Sequence, residues 1–278
     1  MQRQDSQTGS LQHVGVPLRE WRARRRLTQH DLARAAGIPL RTLAALEAGR
    51  LLPTADLLMA LTTRLEVPLR ERNTLLTMAG YPPAYPMRRL DDPALDTARR
   101  TIELMLDRQA AHPVMLLDRH WTIVASNEPL RDLIASVEPG LLSPPVNWAR
   151  LALHPAGLAP RIANLRAWRA HTLARLHQHQ DSTGDPTLGR LHQELAAYPV
   201  PPAIARELEL DSVAVPLRLM TVDGPLAFHG TTTTFDSALD VTLAELSIEI
   251  LFPADSATAT VMRRKQEVRD AAHAAAAD

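Results

Sequence analysis

The spacing of apolar residues predicts helices along residues 14–80. Apolar side chains recur there every three or four positions, as they do on the buried face of an amphipathic helix. Thr28 and Asp31 resemble a helix-capping box, with Asp in place of the usual Glu. Gly37 and Gly49 can take the left-handed conformation that ends a helix, and Pro39 can stand where the next one begins. We therefore expect five short helices, with a tight turn between the second and the third.

A proline-rich stretch interrupts this helical pattern. Residues 81–86, Tyr-Pro-Pro-Ala-Tyr-Pro, cannot continue a helix, because proline lacks a backbone donor and pushes its predecessor toward extended geometry. A helix over residues 92–111 leads into a different pattern, in which alternating apolar residues predict strands at 114–117, 121–125, 213–219, 226–235 and 246–252. Asp223 and Gly224 predict a hairpin turn. Helices are expected between the strands, at residues 147–153, 158–179 and 186–197.

These elements predict an α+β chain of two domains, with an all-α five-helix domain first and a mixed α/β domain second. The chain has 278 residues, 45% of them hydrophobic, which is enough for two packed cores. The expected boundaries are a disordered leader at 1–13, a helical domain at 14–80, a proline-rich linker at 81–94, the mixed domain at 95–262 and an Ala-rich helical or disordered tail at 263–278.

Composition narrows the functional classes. The chain has no cysteine, which excludes disulfides, thiolate metal sites and a cysteine nucleophile. Its polar start lacks the apolar core of a signal peptide, and no stretch is long and apolar enough for a membrane span, so a cytoplasmic protein without membrane contact is expected. The formal net charge is zero, but the segment from Pro17 to Arg50 contains eight arginines and three acidic residues. The first domain is therefore locally basic, as nucleic-acid binding requires.

The segment from Leu27 to Arg50 resembles the XRE family of lambda-repressor-like helix-turn-helix regulators, and the resemblance extends over about Val16 to Ala79. The matching positions are Gln29, Leu32, Ala33, Gly37, Ile38, Leu43, Leu46, Glu47 and Gly49. It implies that the third helix enters the major groove of double-stranded DNA, and that the protein binds as a homodimer. Where the family often has a Ser or Thr cap on this helix, the chain has Pro39.

The resemblance also implies which residues meet DNA. It places Leu40, Arg41 and Ala45 at the base edges and Gln29 and Thr42 near the backbone; the DNA-binding set also includes Arg50. Arg41 is the candidate to hold a guanine through O6 and N7, whereas Leu40 and Ala45 offer apolar contact to thymine methyls. The alternatives are a solvated surface arginine for Arg41 and a packing role for Leu40. Four further arginines either touch phosphate or simply line an exposed helix face: Arg22, Arg24, Arg25 and Arg26.

The segment from about Leu95 to Met262 resembles the ligand-binding domain of MmyB-like regulators, a PAS-like sensor found behind XRE domains. The matching residues are Pro113–Asp118, Trp121–Asn127, Asn147, Leu153–Pro155, Gly157, Leu158, Asn164, Leu165, Trp168, Phe252 and Pro253. In that family a small sheet and its helices enclose an apolar cavity, and some members look like binders of fatty acids. The resemblance thus implies a small apolar ligand of that class.

Two sets of residues are candidates for such a pocket, because small-ligand sites are mostly apolar with a few polar groups. The apolar candidates are Met115, Leu117, Ile123, Leu133, Trp148, Trp168, Leu217, Leu219 and Phe228. The polar candidates are Asn127, His154, Arg161 and His171. The competing interpretation is plain core packing for the apolar set, a helix cap for Asn127 and a surface ion pair for Arg161.

Other functional classes find little support. The chain lacks a Gly-rich phosphate loop, a Gly-x-Ser-x-Gly elbow and a His-Glu-x-x-His motif, so no catalytic residue, cofactor or enzymatic activity is predicted. Histidines crowd one helical region, but His177 and His179 point to different faces of a helix and no carboxylate pair completes a metal site. The remaining alternative is a DNA-binding regulator whose second domain only dimerises or recruits a protein partner.

Overall fold

The computed structural model describes residues 13–200, 214–235 and 238–277, and the chain divides into two compact units at about Arg88. The first unit contains the five predicted helices: α1 Gly15–Arg24, α2 Gln29–Ala35, α3 Leu40–Glu47, α4 Ala55–Arg64 and α5 Leu69–Met78. Their apolar faces share one core, which includes Leu18, Leu32, Leu43, Leu46, Leu58, Leu61 and Leu75. Of the predicted leader, residues 1–12 lie outside the described ranges.

Local signals set the ends of these helices as expected. The Thr28 hydroxyl accepts from the Asp31 backbone N–H, and the Asp31 carboxylate accepts from the Thr28 N–H, which completes a capping box. Gly37 and Gly49 have φ of +67° and +72°, in the left-handed region that favours glycine. Pro39 occupies the N-cap of α3 and makes no side-chain capping bond. The turn between α2 and α3 is therefore encoded locally.

The second unit wraps helices around a five-stranded antiparallel sheet. Its helices are α6 Asp96–Arg108, α7 Glu128–Ile134, α8 Trp148–Leu153, α9 Leu165–Thr183, α10 Pro186–Ala197, α11 Val241–Ala244 and α12 Ser256–Ala277. Its strands are β1 Val114–Leu117, β2 Ile123–Ser126, β3 Leu217–Thr221, β4 Gly224–Thr234 and β5 Ser247–Pro253, in the spatial order β2-β1-β5-β4-β3. The predicted α+β class, with a sheet interrupted by a helical insert, is confirmed.

Each face of this sheet carries its own core, because side chains alternate along every strand. Met115, Leu117, Phe228 and Leu251 face a large cluster that includes residues of α8, α9 and α10. On the other face, Val114, Leu116, Ile248 and Ile250 pack with Ile102 of α6.

The helix expected at residues 158–179 was wrong in its first part. A short 3-10 turn, Ala159–Arg161, comes first, and α9 begins only at Leu165. Between them Ile162 forms a β-bridge with Leu219, and the Asn164 side chain bonds the Pro216 carbonyl and the Arg218 N–H. Pairing with the edge strand β3 thus replaces the helical hydrogen bonds of this segment.

Three other boundaries also differ from the predictions. Trp121 has φ of +67° and precedes β2, which begins at Ile123. Thr221 pairs with Gly224, so the hairpin turn is Val222–Asp223, one residue before the predicted position; Val213, the expected start of this hairpin, lies outside the described residues. The C-terminal helix α12 begins at Ser256, seven residues before the expected tail, and packs against β4 and β5.

Candidate functional site

The helix α3 has one buried and one exposed side. Leu43 and Leu46 are fully buried in the core of the first unit, which fixes how the helix is turned. Leu40 and Arg41, at its N-terminal end, are exposed, Thr42 and Ala45 are partly exposed, and Arg50 is exposed just beyond its end. Leu40 is 45% exposed, which is high for a leucine and leaves its side chain free for contact with another surface.

A buried carboxylate joins three helices of this unit. Glu47 of α3 is only 4% exposed. Its Oε1 accepts from Arg22 Nε at 2.6 Å, and its Oε2 accepts from Arg22 Nη2 and from Gln29 Nε2, both at 2.8 Å. Arg22 also donates to the Leu27 carbonyl at 2.8 Å. This network ties α1 and the start of α2 to the end of α3.

The network also sets the charges of its members. Burial by itself would raise the pKa of Glu47, but the hydrogen bonds from Arg22 and Gln29 together hold that pKa below its usual range. The hydrogen bond to Glu47 raises the pKa of Arg22. Glu47 is therefore a carboxylate and Arg22 a guanidinium at neutral pH, and each neutralises the other.

The structure shows contacts for three of the four arginines that the sequence assigned either to phosphate or to an exposed helix face. Arg22 is held by Glu47, and Arg25 donates to the Leu65 and Glu66 carbonyls at the end of α4. The guanidinium of Arg24 lies 5.5 Å from the Trp21 ring centroid. Sequence reasoning missed the Arg22–Glu47 pair, although an acidic residue on the apolar side of α3 was a usable signal.

Most of the predicted ligand-binding residues lie in a packed core. Ile123 and residues of α7 line one cavity of the second unit, and Arg161 and Leu133 line another, of 440 Å³. The other apolar candidates line neither of these two cavities and belong to the core cluster: Met115, Leu117, Trp148, Trp168, Leu217, Leu219 and Phe228. The interpretation as core packing fits these residues better.

The polar candidates are dispersed. The Asn127 side chain accepts from the Val114 and Leu130 N–H groups and donates to two carbonyls, so it caps α7, which fits the competing interpretation of this residue. His154 Nδ1 accepts from the Ala156 N–H at 3.0 Å. His171 lies 5.7 Å from the Trp168 ring, and burial lowers its pKa. Among the four, Arg161 lines the 440 Å³ cavity.

A second buried carboxylate lies in the sheet of the second unit. Glu249 of β5 is 1% exposed, and its Oε1 accepts from Arg175 Nη1 of α9 at 2.7 Å. Arg175 also donates to the Thr232 hydroxyl, and its guanidinium lies 5.0 Å from the Trp121 ring centroid. Among the described residues, Glu249 Oε2 is buried without a hydrogen-bond partner. This pair ties the longest helix of the insert to the middle of the sheet.

A five-helix unit that exposes one end of α3, followed by an α+β unit, is the arrangement of a DNA-binding transcription regulator with a ligand-binding domain. Residues 18–72 match a helix-turn-helix family model, and residues 98–264 match the MmyB-like transcription regulator ligand binding domain. The chain therefore belongs to the family of MmyB-like transcription regulators. No curated protein matches it.

Two structural findings accompany this assignment. Within residues 13–200, 214–235 and 238–277, no helix is both long and apolar enough to cross a membrane. The same described part of the chain contains no group of three or more potential metal ligands.

Proposed function

We propose that α3 reads a specific sequence of double-stranded DNA through its exposed N-terminal half, with Arg41 as the main base contact. The observation that carries this proposal is the division of α3 into a buried side, held by Leu43 and Leu46, and an exposed side with Leu40 and Arg41. Ala45 and Thr42 lie on partly exposed positions of the same helix, and Arg50 follows it. Arginine forks fit guanine edges in the major groove, and apolar side chains fit thymine methyls.

Gln29 takes a positioning role in this proposal. Its side-chain amide is held by Glu47, so α2 begins at a fixed place beside α3. Its backbone lies at the first position of α2, where N–H groups remain free of helical partners and suit a phosphate oxygen. Gln29 would thus meet the DNA backbone while its side chain aligns the two helices.

Arg41→Ala is expected to weaken binding to the specific site by about 1 to 3 kcal/mol, because a bidentate arginine–guanine contact carries that much discrimination. A site selected from a random duplex pool, followed by anisotropy titration, measures the effect. Arg64→Ala, at the exposed end of α4, is the control and should leave affinity unchanged. Equal affinity of the Arg41→Ala variant for the selected site would remove Arg41 from base reading.

The same selection examines the proposed homodimer. Dimeric helix-turn-helix proteins bind two half-sites about one helical turn apart, so the selected sequences should contain an inverted repeat with roughly 10 base pairs between half-site centres. A single half-site, bound with one chain per duplex, would contradict the dimer.

The second domain, in this proposal, binds a small apolar effector of the fatty-acid class and transmits its presence to the DNA-binding domain in the cytoplasm. The match to a ligand-binding domain family and the 440 Å³ cavity support this function. Pockets of about 300 to 1,000 Å³ hold small molecules. The alternative is that the domain only dimerises or recruits a protein.

Mass spectrometry of an organic extract of the purified chain separates these alternatives. An apolar molecule is expected in the extract, and adding it to stripped protein should change affinity for the selected DNA. A truncated chain ending near Tyr85 provides the background. DNA affinity that depends only on protein concentration, with no extractable molecule and no response to added amphiphiles, would favour the dimerising function.

A further inference from the structure

The indole of Trp121 makes a hydrogen bond that fixes the protonation state of a histidine. Trp121 lies two residues before β2 and is 6% exposed, and its Nε1 donates to Nδ1 of His179 on α9 at 3.1 Å. An indole nitrogen can only donate, so the His179 Nδ1 must carry a lone pair and no proton. The contact therefore exists only while His179 is a neutral imidazole with its proton on Nε2.

The backbone of Trp121 is held in place on both sides. Its N–H donates to the Asp118 carbonyl at 3.0 Å, and its carbonyl accepts from the Trp148 N–H at 2.9 Å. Its φ of +67° lies in the left-handed region, which a residue with a bulky side chain adopts only where its surroundings impose it. Trp121 therefore has little freedom to follow a change at His179.

The surroundings of His179 favour its neutral form. Burial has the largest effect on the pKa of His179 and lowers it. Two carboxylates oppose this shift, Asp185 at the N-cap of α10 and Glu245 just after α11. Two basic residues add to it, His120 from the β1–β2 loop and Arg175 from one turn earlier on α9. The net result is a pKa of His179 below its usual value.

Both of these carboxylates already contact other basic groups. Asp185 Oδ2 lies 2.9 Å from His120 Nε2 and 3.5 Å from Arg119 Nη1, and the same Nη1 lies 3.7 Å from Glu245 Oε1. A proton on His179 would add a positive charge to a cluster whose carboxylates already serve Arg119 and His120. It would also turn Nδ1 into a donor that faces the donor of Trp121, so the hydrogen bond between them would be lost.

We infer that the Trp121–His179 contact is a pH-sensitive switch, which holds the β1–β2 hairpin against α9 at neutral pH and opens when His179 takes up a proton. This switch requires neither the DNA contact nor the effector proposed above. In the unfolded chain a histidine titrates at about pH 6.5. Since the folded protein binds this proton less readily, the contribution of the contact to stability is complete above about pH 6.5 and is lost as the pH falls below it.

Nuclear magnetic resonance of the full chain labelled with ¹⁵N-tryptophan follows this contact directly, because each of the four tryptophans gives one indole N–H signal. The variant Trp121→Phe identifies the signal of Trp121. As the pH is lowered from about 8 to about 5, the range in which histidine changes charge, this signal should move from a hydrogen-bonded toward a free position. The midpoint should lie below the usual histidine pKa of about 6.5.

Two histidine variants identify the titrating group. His179→Asn keeps an acceptor oxygen near the position of Nδ1 but does not titrate, so the Trp121 signal should remain hydrogen-bonded down to about pH 5. His171→Asn is the matched control, because His171 lies on the same helix and burial also lowers its pKa, but its ring lies 5.7 Å from that of Trp168. This variant should leave the Trp121 transition in place.

Urea unfolding of the full chain gives an independent measurement. Lowering the pH from about 7.5 to about 5.5 should reduce the urea midpoint of the wild type by more than that of His179→Asn, since only the wild type loses the Trp121 contact. The switch is refuted if the Trp121 signal does not move while the protein stays folded, or if His179→Asn shows the wild-type transition. If His179→Asn does not fold, the wild-type titration decides, and a midpoint at or above about pH 6.5 contradicts the switch.

Discussion

Replacing Arg22 by Met should lower the free energy of unfolding of the first unit by about 3 to 5 kcal/mol, since breaking a buried ion pair from one side leaves an uncompensated charge. Glu47 is the charge left behind: its side chain is 2% exposed, and two of the three hydrogen bonds that it accepts come from Arg22. The remaining donor, Gln29, carries no charge. Urea unfolding with amide hydrogen exchange in α1–α5 measures the loss.

A double variant and a control identify the cause. Arg22→Met combined with Glu47→Leu removes both charges, and most of the lost stability should return, because a buried pair can be replaced by apolar residues at little cost. Arg19→Met, on an exposed position of the same helix, should change stability by less than about 0.5 kcal/mol. An Arg22→Met variant as stable as the wild type would show that the pair does not hold α1 to α3.

Replacing Arg175 by Met is expected to destabilise the second unit by a similar amount, about 3 to 5 kcal/mol. Glu249 is 1% exposed, and among the described residues Arg175 is the only side chain that donates to it. Its carboxylate would remain in the sheet without a charged partner. Urea unfolding measures the loss in the free energy of unfolding, and amide hydrogen exchange in β4, β5 and α9 shows where the structure is destabilised.

The matching double variant, Arg175→Met with Glu249→Leu, should regain the stability of the wild type or exceed it, since it also removes the unpartnered Glu249 Oε2. Arg263→Met, at an exposed site on α12, serves as the control. If the single and the double variants are equally unstable, the cost comes from lost packing of Arg175 over Trp121 and not from a stranded charge.

Local chemistry explains why the first unit could be predicted closely. The capping box at Thr28, the left-handed glycines at positions 37 and 49 and the three-to-four-residue spacing of leucines each act within a few residues. Such signals are present in the sequence before any tertiary contact forms. The exposed position of Arg41 follows from them, because Leu43 and Leu46 must face the core.

In the second unit, local sequence signals do not predict every element. Residues 162–164 lie in a segment with a helical pattern, yet they pair with β3, an edge strand more than fifty positions later. The tail was predicted from its alanines as a separate segment, but Thr258 and Met262 bury the start of α12 against the sheet. Long-range contacts override local propensity in both places.

The sequence by itself determined the helix-turn-helix, the α+β class of the second domain and the two family resemblances, since each depends on residue types at fixed short spacing. Only the tertiary structure decided which arginines form buried ion pairs. Arg22 and Arg175 look like Arg161 in the sequence, but each of the first two lies against a buried carboxylate from a distant element, whereas Arg161, among the described residues, donates to the Met220 carbonyl and the Ser136 hydroxyl. Charge compensation depends on three-dimensional distance, which residue spacing along a chain does not specify.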